Sequence, residues 1–328
     1  MIEFWATALA LAIFLYVILD GFDLGVGMLF PFAGSAEDRD RMLGSIAPVW
    51  DGNETWLVVA ATVLFGAFPI VYSTLLSAFY IPLTLMLAGL ILRGVAFEFR
   101  YKAGALRWVW DAGFVVGSYA ASFVQGAAVG AIVQGLPVMN GRYVGGPFAW
   151  VGTFPILCGV ALCVGYALAG ASWVAGKTAG TLQDFALRAV PLLLFTLLAF
   201  LCALFVFAVR LNLALLDRWT ERPAMLAFPV IGAVASAGIV WAILRRRDWL
   251  LFPCSAMIFV AAFATLAASF LPYMIPDSIT IEQAAAPEAS LSFMFWGAGV
   301  FVLPLTLAYT AVVYFIFRGK TPAEVEPN

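Results

Sequence analysis

The chain has 328 residues, of which 64% are hydrophobic and 11% charged, with a formal net charge of −2 and no histidine. A soluble domain carries about 25% charged residues, so a water-soluble fold is excluded, and the near-neutral balance leaves no basic surface for nucleic acid. Without histidine the chain has no imidazole to offer a haem, zinc or copper, and no His general base.

A helix crossing a bilayer needs about 20 apolar residues. In chain order such stretches fall at 4–31, 50–71, 76–97, 109–133, 148–173, 186–209, 224–244, 250–273 and 291–317. They predict an all-α integral membrane protein of nine transmembrane helices, forming one polytopic domain over residues 1–328. The first stretch lacks a basic leader and is longer than a signal peptide's apolar core, so it is read as a retained span. Gly21, Gly25 and Gly27 within it suit close helix contact. Cys158, Cys163, Cys202 and Cys254 lie in apolar runs and read as small buried hydrophobes.

Basic residues of the loops set the expected orientation. Arg39, Arg41, Arg100, Lys102, Arg107, Lys177, Arg188, Arg245, Arg246, Arg247, Arg318 and Lys320 fall on one side of a nine-span topology. Arg142, Arg210, Arg218 and Arg222 fall on the other. The N-terminus is therefore expected outside and the C-terminus in the cytoplasm.

Two acidic pairs stand out. Asp20 and Asp23 close the first span; Asp51 and Glu54 open the second, three residues apart and so on one helix face. Trp50 and Trp56 bracket the second pair with rings suited to a membrane interface. An Asp at mid-membrane costs about 2.5–3.5 kcal/mol on insertion scales, so such acids face a bundle or a water cavity. Crowded like charges disfavour joint ionisation, and acids that hold protons near neutral pH are what a proton path requires. Plainer readings stand beside this one. First-turn acids are stabilised by the helix dipole, Asp20 and Asp23 could lock against a buried base, and oxygen ligands suit a hard cation. Arg93 and Glu98 are the candidate charge partners, with Arg100 and Lys102 more suited to anchoring the span end.

The runs Asp20-Gly-Phe-Asp-Leu-Gly-Val-Gly-Met28 and Ser45-Ile-Ala-Pro-Val-Trp-Asp-Gly-Asn-Glu-Thr-Trp-Leu57 resemble subunit II of the cytochrome bd-type quinol oxidases. So do Arg93-Gly-Val-Ala-Phe-Glu-Phe-Arg100, Pro272-Tyr-Met-Ile-Pro276 and Tyr314-Phe-Ile-Phe-Arg-Gly-Lys320. The resemblance spans essentially the whole chain, and the short connections are similar to the compact, cyanide-insensitive type. It implies a bacterial inner-membrane terminal oxidase that oxidises ubiquinol or menaquinol and reduces O2 to water. The nine helices would form two four-helix bundles and one peripheral helix. Haem b558, haem b595 and haem d would sit in the partner subunit I, with no cofactor bound by this chain beyond a possible structural quinone. A small single-helix accessory subunit is a further possible partner. By the same resemblance Asp51 would lie on a cytoplasmic proton path, with Glu54 in a less fixed role, and Trp56 at the mouth of a hydrophobic O2 route.

Two other classes fit the same composition. A proton-coupled secondary transporter would show interrupted helices and inverted repeats; here the acids gather toward one face. A purely structural membrane anchor would use them only to fix helix packing.

Overall fold

The computed structural model describes residues 1–139, 141–211 and 223–321. Its long helices are α1 (Ile2–Leu29), α2 (Ala36–Ile46), α3 (Trp50–Ala67), α4 (Pro69–Phe99), α5 (Arg107–Gln134), α6 (Thr153–Lys177), α7 (Thr181–Arg210), α8 (Ala227–Leu244) and α9 (Leu251–Phe270). A last span, α10 (Glu288–Ile316), contains one π-helical turn at Phe295–Gly299. Two short antiparallel strand pairs, Val138–Met139 with Arg142–Tyr143 and Tyr273–Ile275 with Ile279–Thr280, close loops at one end.

Each of the nine predicted stretches coincides with a helix, and eight helices are long and apolar enough to cross a membrane. The exception is α3, whose opening Trp50-Asp-Gly-Asn-Glu-Thr55 is too polar to count as membrane-spanning by hydropathy. Arg218 and Arg222, used above for orientation, lie outside the described residues.

The spans are apolar on all sides, as buried or lipid-facing helices are. The organising one is α1, which packs on α3, α5, α6 and α9 and is buried continuously from Asp20 to Leu29. Glycine makes this possible: a Cβ on Gly25 would stand 1.8 Å from the Tyr166 carbonyl oxygen of α6, and one on Gly170 would meet the Gly25 carbonyl carbon at 2.5 Å. The two backbones touch, which only residues without side chains allow. Pro82 bends α4 by removing a ladder donor, and Phe79, a turn before it, leaves helical geometry.

One helix was not expected. Ser35 accepts from the Asp38 backbone N–H at 3.1 Å and so caps α2. This surface helix is pinned from two sides. Arg100, buried at the end of α4, is held between Asp40 of α2 and Asp111 of α5, and stands over the Phe30 ring at 5.2 Å. Arg107 also reaches Asp40, and Arg39 stands 3.7 Å from Asp111. On the far side Arg41 donates to the Ala179 carbonyl at 2.7 Å.

Candidate functional site

The site forms where α1, α3 and α4 meet. Tyr16, Asp20 and Asp23 are spaced four and three apart on α1 and therefore share one face. Asp20 and Asp23 are both fully buried. A lone ionised carboxylate in an apolar interior is expensive unless paired, and α4 brings the partner: Arg93, 1% exposed, donates from Nη1 to Asp20 Oδ1 at 2.8 Å. The same nitrogen stands 4.0 Å from Glu54 Oε2 on α3, a side chain that is 26% exposed.

Asp23 is served by a different group. Asn53 on α3 donates from Nδ2 to Asp23 Oδ2 at 2.7 Å and to the Leu19 carbonyl at 3.2 Å. Its own Oδ1 accepts from the Tyr314 hydroxyl of α10 at 3.0 Å. The Tyr16 hydroxyl lies beside Asp20 and accepts from Gln125 of α5 at 2.8 Å, while Gln125 in turn accepts from Tyr166 of α6 at 2.9 Å. Six helices thus contribute polar groups to one buried region.

Within it Asp20 Oδ2, Asp23 Oδ1, Arg93 Nε and Arg93 Nη2 have no protein hydrogen-bond partner. Buried polar atoms of this kind are satisfied by water or by a moving proton. One guanidinium among three carboxylates also leaves room for a shared proton.

The remaining predicted residues fall as follows. Asp51 is exposed in the first turn of α3, one residue from Gly52 and three from Glu54. Glu98 is exposed and stands away from the cluster, and Arg100 belongs to the surface lock around α2 rather than to the acids of α1 and α3. Trp56 is not an interfacial ring. It is fully buried, because it lies three residues after Asn53 on the inward face of α3, and its Nε1 donates to Thr310 of α10 at 3.3 Å.

No imidazole exists in the sequence, so histidine ligation of a haem iron cannot come from this chain. An apolar groove of about 390 Å³ between α4 and α5 is lined by Pro82, Leu85, Leu92, Val116, Phe123 and Trp150 among others. At its edge the Trp150 N–H donates to the Pro147 carbonyl at 3.1 Å.

Sequence reasoning missed Asn53, Tyr314, Tyr16 and Gln125. Asn53 sits between the two flagged acids and was open to notice; the others come from remote helices and carry no local signal.

Residues 1–317 match the family described as cytochrome bd terminal oxidase subunit II. The "Probable cytochrome oxidase subunit 2" of Haemophilus influenzae is 32% identical, over 94% of this chain and 92% of that protein. The "Cytochrome bd-I ubiquinol oxidase subunit 2" of Escherichia coli K12 is 31% identical, over 95% and 93%. The Bacillus subtilis "Cytochrome bd ubiquinol oxidase subunit 2" is 29% identical, over 97% and 96%. A chain in the solved bd oxidase from Geobacillus thermodenitrificans superposes with a TM-score of 0.75, covering 96% of this chain and 98% of that one. At 16% identity that match speaks to the fold.

Proposed function

This chain belongs to the cytochrome bd terminal oxidase subunit II family, and we propose that within the oxidase it is the haem-free subunit that conducts protons from the cytoplasm toward the site of O2 reduction. It is an integral membrane subunit of a quinol:O2 oxidoreductase, and its partner is subunit I of the same complex. In this reading α3 is the ninth span, its polar start accepted because it faces protein and water rather than lipid. The helices then form two four-helix bundles and a peripheral helix, with the N-terminus outside and the C-terminus in the cytoplasm. Haems b558, b595 and d reside in subunit I.

The observation that carries the proposal is the graded burial of the acids. Asp51 is exposed, Glu54 is partly exposed, and Arg93 stands between Glu54 and the fully buried Asp20. Asp51 receives protons from bulk water, Glu54 passes them inward, and the hydrated interior around Asp20, Asp23 and Arg93 holds them. Arg93 keeps its charge throughout, so it holds the carboxylates in place without itself carrying protons. Trp56, packed between α3 and α10, borders the O2 route in this reading.

The test is Asp51→Asn in the assembled oxidase. Turnover falls while the reduced-minus-oxidised haem spectrum keeps its shape. Loss of haem with unchanged turnover per remaining haem would make Asp51 an assembly residue instead.

A further inference from the structure

The C-terminal run Tyr314–Lys320 stands out in the sequence, yet the site described above uses none of it except the Tyr314 hydroxyl on Asn53. The helix that carries it is an unusual one. Only 6% of the apolar window of α10 is buried within the chain, against 28% for α1 and 61% for α6. Side-by-side packing within this chain does little to fix its rotation or depth.

Its cytoplasmic end is fixed by a strap instead. Lys177, the last residue of α6, donates from Nζ to the carbonyl oxygens of Phe317 and Gly319. Its ammonium also stands 4.8 Å from the Trp173 ring centre. The Thr321 N–H donates back to the Lys177 carbonyl at 2.8 Å. Lys320 donates to the Thr178 carbonyl at 3.2 Å and to Asp248 Oδ2 at 3.1 Å. Asp248 is itself held by Gln183 at 2.8 Å. Residues 317–321 are thereby tied to the α6–α7 turn and to the start of α9.

The strap lies next to the site. Trp173, beneath Lys177, donates to the Ser45 carbonyl at 3.2 Å, and its ring faces Tyr314 edge-on at 6.2 Å. Tyr314 in turn holds Asn53 Oδ1. A side-chain amide has one accepting and one donating end. With its oxygen engaged by Tyr314, the Asn53 nitrogen must face Asp23; turned over, it would set an oxygen against a carboxylate.

We propose that Tyr314 is a positioning residue for the proton path, seated by the Lys177–Lys320 strap, and that it acts by fixing the Asn53 amide with its N–H on Asp23. The inference rests on Asp23 being part of that path. The C-terminal run is then the far end of a lever whose near end is a buried carboxylate.

The test uses the two-subunit oxidase carrying Tyr314→Phe, the pair Lys177→Met/Lys320→Met, all three changes together, and Asp23→Asn. The readouts are haem spectrum, kcat, and KM for quinol. Tyr314→Phe keeps the ring and removes one hydrogen bond. It lowers kcat roughly three- to tenfold, the worth of such a bond, with KM and spectrum unchanged. The strap pair lowers kcat in the same way, and Lys177→Arg/Lys320→Arg restores it. Because strap and hydroxyl act through one bond, the triple variant is no slower than the slower of its parents. Losses that multiply in the triple variant, or full kcat in Tyr314→Phe beside a slow Asp23→Asn, would overturn the inference alone. Full kcat in Asp23→Asn would remove the reading of Asp23 on which it stands. Should the strap pair fail to assemble, Lys320→Met alone carries the same comparison.

Discussion

Arg93 Nη1 lies 2.8 Å from Asp20 Oδ1, and Glu54, 4.0 Å from the same nitrogen, is the side chain through which that buried pair reaches the surface. One guanidinium therefore joins a carboxylate with no solvent access to one that has it. The buried pair is the lock against a base that the sequence allowed for Asp20, and under the proposed function the third carboxylate, Glu54, extends it toward solvent.

Removing Arg93 alone leaves Asp20 buried without its partner. Breaking a buried pair from one side costs about 3–5 kcal/mol, whereas replacing both partners with apolar groups can be neutral. Arg93→Leu is expected to lower the thermal midpoint and yield of the purified oxidase sharply. Asp20→Leu/Arg93→Leu is expected to recover most of that stability but not turnover. A stable Arg93→Leu single variant would contradict the pairing.

The backbone contact between α1 and α6 makes a second expectation. Alanine at Gly25 would place a Cβ 1.8 Å from the Tyr166 carbonyl, so the helices must separate and Asp20 must move with α1. Overpacking of this kind costs about 1–3 kcal/mol or more. Gly146→Ala is the control, since nothing stands within 4 Å of a Cβ there. Thermal unfolding of the two oxidases should differ, with Gly146→Ala matching the unaltered complex.

At the surface, Arg100 is the buried cation that α2 docks on through Asp40. Arg100→Gln leaves Asp40 and Asp111 with only the peripheral Arg39 and Arg107. Trypsin should then cut after Arg39 and Arg41 several times faster in detergent-solubilised oxidase. Equal cleavage rates would mean that α2 is held by its contacts at Ala179 and Thr181 instead.

Much of the fold could be read from the sequence because the bilayer demands long uninterrupted apolar runs, and each of these became a helix. The acids were legible for the converse reason: Asp20, Asp23, Asp51 and Glu54 interrupt those runs. What they bind to was harder. Arg93 was identifiable as a charged residue inside a span, but Asn53 and Tyr314 meet across 261 positions of chain, and no local period encodes that. Trp56 was misread because tryptophan at a span end usually marks the interface, whereas tertiary packing on α10 buries it. The surface helix α2 was overlooked although Ser35 and the acids after it form an N-terminal cap signature. Polar loops between spans invite no search for helices.

The most direct measurement is proton uptake by oxidase reconstituted in liposomes, followed with a pH dye during quinol oxidation, for the unaltered complex and for Glu54→Gln. In the proposed path Glu54 is the link between exposed Asp51 and buried Asp20, and the change to glutamine keeps its shape while removing its capacity to carry a proton. Slow proton uptake and slow turnover together, with an unaltered haem spectrum, are expected. Uptake and turnover at the unaltered rate would show that protons reach the site of O2 reduction without passing through this chain's acids.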